Sequence, residues 1–129
     1  MKTLELLFMA GIVTSMTMMS CKKEVDGCTD STATNYNSSA TNDNNSCTYT
    51  GQVTFWYNSS GTNATVNING QSGTITTYYG TYNPTCGSSG CATSTLPTGT
   101  YAYTASSSFS NWSGNVTITK HGCALQLLQ

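Results

Sequence analysis

The chain has 129 residues, of which 53 are Thr, Ser or Asn, and only 7% carry charge. Four Lys, no Arg and a net charge of −1 cannot neutralise a run of phosphates, which excludes a nucleic-acid binder. From Thr48 to Gln129 the charged side chains reduce to Lys120, with His121 beside it and no Asp or Glu. A general acid–base pair, the two carboxylates of glycoside hydrolysis or the ligand set of catalytic zinc cannot be assembled there, so no enzyme is expected.

The first 20 residues read as an address. Leu6 to Met19 is apolar or small throughout, too short to span a bilayer and of the length of a signal-peptide core. It ends in Met18-Met19-Ser20-Cys21, followed by Lys22-Lys23-Glu24. The bland alternative is an amphipathic helix ending at a free thiol. The run resembles a bacterial lipoprotein signal. The resemblance implies cleavage before Cys21, a diacylglycerol on its sulfur and a tether over 21–26. Lys22 after the cysteine implies the outer membrane, on its periplasmic or its surface side. Lys22-Lys23-Glu24 is also similar to the export signals of Bacteroidota surface lipoproteins.

Residues 27–49 lack any periodicity. Their Asn, Asp and Ser favour Asx and ST turns, and only Ala33, Tyr36 and Ala40 offer a small core. Such a segment needs a staple, and Cys28 and Cys47 bracket it in a chain expected to reach an oxidising compartment. A Cys28–Cys47 disulfide is expected. The stretch Gly27-Cys28-Thr29-Asp30 to Ala33-Thr34-Asn35-Tyr36-Asn37 and Cys47 resembles a short module of exported Bacteroidota proteins. Asp30, Asp43 and Asn45, with Asn35 and Asn37, offer the oxygen ligands calcium prefers. Only two are carboxylates, and Asn44-Asn45 replaces a loop-tightening Asp-Gly, so a spacer is preferred to a calcium site. No other cofactor is expected.

From residue 51 onward, apolar residues alternate with a period of two. Val53, Phe55 and Tyr57 share a face, as do Ala64, Val66 and Ile68 before the Asn69-Gly70 turn. Ile75, Thr77 and Tyr79 align, then Ala92, Ser94 and Leu96 before Pro97-Thr98-Gly99. Tyr101, Tyr103 and Ala105 precede a serine-rich turn, and Trp112, Gly114, Val116 and Ile118 follow it. Lys120-His121-Gly122 turns the chain into Cys123, Leu125 and Leu127, which the alternation places on the inner face. Seven short strands with regular turns predict an all-β fold, a single small antiparallel β-sandwich over 51–129.

Val53-Thr54-Phe55-Trp56, Pro84-Thr85-Cys86-Gly87 to Cys91-Ala92, Leu96 to Ala105 and Trp112-Ser113-Gly114 resemble the small β-sandwich domains of Bacteroidota lipoproteins. The Leu-Pro-x-Gly-x-Tyr hairpin is similar to transthyretin-like and PEGA-type repeats. An Ig-like or transthyretin-like sandwich is what these likenesses imply, with no chemistry attached.

Three cysteines remain. Cys86 and Cys91 share a loop, and their pairing is preferred, with Cys123 as a core thiol; a staple from Cys123 to that loop is the alternative. Parity puts Trp56 and Tyr78 outward, where aromatic rings among Asn and Thr can stack on a ligand. Packing on a neighbouring segment or a partner protein is the plainer reading. The sequence therefore predicts a lipid-anchored envelope protein that is a structural or protein-interaction module. A glycan-binding module using Trp56 and Tyr78 is the alternative.

Overall fold

A period-two pattern of Val, Ile, Phe and Tyr against Thr and Ser folds as strands that bury one face. The computed structural model describes residues 22–129 and is all-β, with no helix among them. The signal-peptide and Cys21 readings lie outside the described residues. Strands β1 (Asp26–Gly27) and β2 (Asn42–Asp43) form a minimal parallel pair. The remaining seven are β3 (Thr50–Trp56), β4 (Ala64–Ile68), β5 (Gln71–Ile75), β6 (Ala92–Pro97), β7 (Gly99–Ser106), β8 (Asn111–Ile118) and β9 (Cys123–Leu127). They make a three-stranded sheet in the order β6-β3-β9 and a four-stranded sheet in the order β5-β4-β7-β8.

One core joins the two sheets. Val53, Phe55 and Leu96 from the first pack with Val66, Ile68, Tyr103 and Ile118 from the second. Phe55 and Tyr103 meet ring to ring at 4.9 Å. The β4–β5 hairpin closes on Asn69 and Gly70, both at positive φ (47° and 75°), as a two-residue turn of matching twist requires. Gly51 lies where the β8–β9 turn crosses β3, and a Cβ there would overlap the Thr119 carbonyl oxygen, so only glycine fits.

Three expectations are corrected here. The strands are not all antiparallel: β9 enters the three-stranded sheet parallel to β3, because it starts at the same pole as β3 rather than returning from its end. The alternating pattern does not continue through 76–79: β5 stops at Ile75, and residues 76–91 leave the sheet. In β9 the parity is reversed. Ala124 packs against the core and Leu128 is buried in it, whereas Cys123 and Leu125 stand exposed, on the outer face with Gln52 and Thr54. A one-residue shift in a strand exchanges its faces completely.

That reversal decides the disulfides. Cys28 is bonded to Cys47 (Cα–Cα 4.9 Å), and Cys86 to Cys123 (Cα–Cα 6.1 Å). Cys91 is the free thiol among the described residues, so the preferred Cys86–Cys91 pairing is overturned. Cys123 on the outer face meets the 76–91 loop as that loop crosses the three-stranded sheet. The Gly87 amide donates to Thr54 Oγ1 at 3.1 Å, and the Tyr79 amide to the Tyr57 carbonyl at 3.2 Å, which hold the loop down.

The 27–49 segment is organised by hydrogen bonds more than by packing. Cys28 and Ala33 are buried, but Tyr36 is 46% exposed and forms no mini-core. Asx turns carry the path: Asp30 Oδ1 accepts from the Thr32 amide, Asn37 Oδ1 from Ser39 and Asp43 Oδ1 from Asn45.

Candidate functional site

The strand directions give the two-sheet body two poles. β3, β7 and β9 begin at one end, where the 27–49 segment sits, and finish at the other. The Pro97–Gly99 and Thr119–Gly122 connections lie at the first pole. The 58–63 and 107–110 connections, with Leu128, lie at the second.

At the first pole the one charged residue of 48–129 is used as a latch. Lys120 Nζ is 2.8 Å from Asp30 Oδ2 and 3.8 Å from the centre of the Tyr49 ring. Tyr49 donates its hydroxyl to the same Asp30 oxygen at 2.8 Å, and Thr32 donates its hydroxyl to Asp30 Oδ1 at 2.7 Å. His121 packs edge-on against Tyr49 and donates from Nε2 to the Thr32 carbonyl oxygen at 3.1 Å. Chain turns that are loose in sequence are thereby locked to the β8–β9 turn.

Lys120 first, and then the Thr32 and Tyr49 donors, hold the Asp30 carboxyl well below its ordinary value of 3.8. Asp30 in turn raises Lys120 above 10.5. A depressed carboxylate contributes stability that is present above pH 3.8 and lost as the pH falls towards its folded value. The raised ammonium contributes below pH 10.5 and loses that contribution on further alkalinisation. Both groups face water, so the contribution is small and screened by salt. We expect Lys120→Ala to leave the seven strands folded and to loosen the 27–49 segment, which the Tyr49 and His121 hydrogen bonds continue to hold. A weakened Tyr49–His121 proximity signal in NMR, with strand amide shifts unchanged, checks this; an unchanged signal would show that the ion pair contributes nothing to the latch.

The calcium candidates are placed by the same contacts. Asp30 is occupied by Lys120, Tyr49 and Thr32, and Asp43 by the Asn45 amide, with Asn45 at a φ of 58°. Among the described residues there is no group of three or more His, Cys, Asp or Glu side chains that could hold a metal ion.

The stacking pair is not formed either. Trp56 does point to the outer face of its sheet, but it is only 7% exposed, on the face that the 76–91 loop crosses at Thr54 and Cys123. Its indole Nε1 is buried without a hydrogen-bond partner. An orphaned donor costs about 1–3 kcal/mol, which the apolar area of the ring offsets. Tyr78 is 53% exposed in the loop itself. Cys91 lies half-buried, and burial pushes its thiol above its ordinary value, so it is a poor nucleophile.

The second pole carries concave surface. One cleft of about 150 Å³ lies between the 58–63 and 107–110 connections, with Tyr57, Phe109, Trp112 and Leu128 in its wall. A second, of about 400 Å³, lies along the β7–β8 hairpin and includes Thr104, Ser106, Asn111 and Ser113. Trp112 belongs to both. Sequence parity identified Trp112 only as a core position. The signal that marks this pole is Phe109, a large apolar residue inside a serine turn, which is 85% exposed.

No protein-family model, no curated protein and no solved structure matches the chain. Its own geometry is what bears on function.

Proposed function

We propose that this chain is a non-enzymatic cell-envelope lipoprotein, anchored to the outer membrane through Cys21. Residues 27–49 then serve as a spacer, and 51–129, as a β-sandwich of the transthyretin-like or Ig-like kind, as a structural or interaction module. The observation that carries this is the Lys120–Asp30–Tyr49 latch. It holds the segment that follows the proposed tether against one pole, which supports a reading in which the opposite pole, with its concave surface, faces away from the anchor. The two disulfides support an extracytoplasmic setting. The absence of any carboxylate after residue 47 supports a binding or structural role over catalysis. The 7% exposure of Trp56 favours this reading over the alternative of a glycan site on Trp56 and Tyr78.

The mass of the protein taken from bacterial membranes tests the proposal. A chain starting at Cys21, carrying acyl mass and gaining four hydrogens on reduction of its two disulfides, is expected. An unacylated chain cut elsewhere would overturn the anchor.

A further inference from the structure

We propose that the free edge of β8 is a dimerisation surface, on which a second copy of this chain pairs β8 with β8, antiparallel, about a two-fold axis at Gly114. This goes beyond the reading of the chain as an interaction module: it names a partner, and it needs nothing from the anchor.

The edges of the two large sheets are not equivalent. β5 and β6 are tied to each other on one side of the body. Gln71 Nε2 donates to the Thr95 carbonyl at 3.2 Å, and the Thr76 and Thr77 amides donate to the Gly90 carbonyl at 2.8 and 3.2 Å. β6 also ends in Pro97, which has no amide to offer. β9 has 5 residues, and its first, Cys123, is bridged to the 76–91 loop. β8 has 8 residues, none of them charged and none a proline, and it pairs with β7 at every position without a bulge. A long, regular, uncharged edge is what sheets of single chains avoid exposing.

The hairpin sets which groups that edge offers. The Ser107 amide donates to the Ser110 carbonyl at 2.8 Å, so this pair closes the β7–β8 turn. Hydrogen-bonded pairs recur at every second position from it: Ala105 with Trp112, Tyr103 with Gly114 and Tyr101 with Val116. Trp112, Gly114 and Val116 therefore turn their amides and carbonyls towards β7. Asn111, Ser113, Asn115 and Thr117 direct theirs outward, and no backbone hydrogen bond from elsewhere in the described residues reaches them.

This pattern is its own complement. A two-fold at Gly114 sets Asn111 opposite the second copy's Thr117, Trp112 opposite its Val116, Ser113 opposite its Asn115 and Gly114 opposite its Gly114. Every outward amide and carbonyl of one copy then meets its counterpart on the other, and any other register leaves some unpaired. The exposed face joins amide and hydroxyl side chains, and the core face sets the half-buried Trp112 ring beside Val116, an aromatic next to a β-branched residue. Gly114 falls on the axis in a non-hydrogen-bonded pair, where the two backbones come within about 4.5 Å, and it carries no side chain to hold them apart. No charge meets its like, since β8 and its neighbours β7 and β9 carry none. The two four-stranded sheets become one, with the 27–49 segments at its opposite ends.

The test is sedimentation equilibrium of the purified full chain in density-matched detergent. Concentrations run from micromolar to millimolar, because one strand pair buries less than a standard interface. The mass is expected to rise from one chain to two and to stop there. Trp112 emission, read in a Trp56→Phe background, should shift to the blue as it does so. Two double variants read the register. Ser113→Lys with Asn115→Lys sets like charges opposite each other and should weaken dimerisation by about tenfold or more. Ser113→Lys with Asn115→Glu sets opposite charges in the same places and should keep dimerisation at least at the parent level. Both positions are exposed, so the variants fold, which far-UV circular dichroism verifies. A mass of one chain at every concentration, growth beyond two chains, or equal dimerisation of the two double variants each overturns the proposal. The anchor is read separately, from the mass of the acylated chain, so failure of the dimer leaves that result standing.

Discussion

Cys86→Ser is expected to lower the free energy of unfolding by about 4 kcal/mol, the value for closing a loop of this length. The bridge to Cys123 spans 37 positions in sequence. Against the roughly 5–15 kcal/mol that holds a small domain together, this is a large share. Denaturant unfolding measures it as a drop in midpoint. Cys123→Ser should match it, and Cys91→Ser should leave the midpoint unchanged, because Cys91 is the free thiol. The reverse order, with Cys91→Ser damaging and Cys123→Ser silent, would restore the Cys86–Cys91 pairing. A local effect should accompany the global one. The 76–91 loop covers the face on which Trp56 is 7% exposed, so its release should shift Trp56 emission to the red before the sheets unfold.

The second large effect belongs to the core. Phe55 is 1% exposed on β3 and meets Tyr103 of the other sheet with ring centres 4.9 Å apart. Truncation to alanine removes contacts between the sheets and leaves a cavity, so Phe55→Ala is expected to cost about 3–5 kcal/mol. Phe109→Ala, at an 85% exposed position, should stay within about 0.5 kcal/mol of the parent. Two phenylalanines of one chain thus differ by most of the available stability. Equal effects in thermal or denaturant unfolding would show that the two sheets do not share the core described.

The strands that bury one face were legible in the sequence. Val53, Phe55, Val66, Ile68, Leu96, Tyr103 and Ile118 alternate with Thr, Ser and Asn, and all of them pack in the core. Asn69-Gly70 marked its hairpin through the positive φ both residues accept. Legibility failed where a sheet has cover on both sides. Trp56 and Thr54 are buried on the outer face and Val53 and Phe55 on the inner one, so alternation in β3 gives the face of each side chain but not its exposure. In β9 the larger side chains misled the reading: Leu125 and Leu127 look like core residues, but Ala124 and Leu128 supply the core. The cysteine pairing inherited that error, since nearness in sequence favoured Cys91 while the true partner depended on which face Cys123 occupied. In the 27–49 segment, Tyr36 looked like a core residue because the composition offers so little else. The Lys120–Asp30 contact was hidden for another reason: it joins residues 90 positions apart, and no local pattern announces such a pair.

The pairing of β3 with β9 has a consequence for how the molecule comes into being. Gln52 lies beside Cys123 in a parallel ladder, so the central strand of one sheet is completed by residues more than half the chain away. Contacts this distant in sequence are slow to form, because the intervening chain must be ordered before they reward it. In a chain delivered from its N-terminus, β3 emerges well before β9. Until then β3 keeps one open edge, the Cys86 thiol has no partner, and the core lacks Leu128. Completion of this sheet therefore waits for β9, whose docking covers the edge of β3 and brings Cys123 to Cys86. A protein shortened by a few C-terminal residues would be caught before that event, with an uncharged strand edge open to any neighbouring copy.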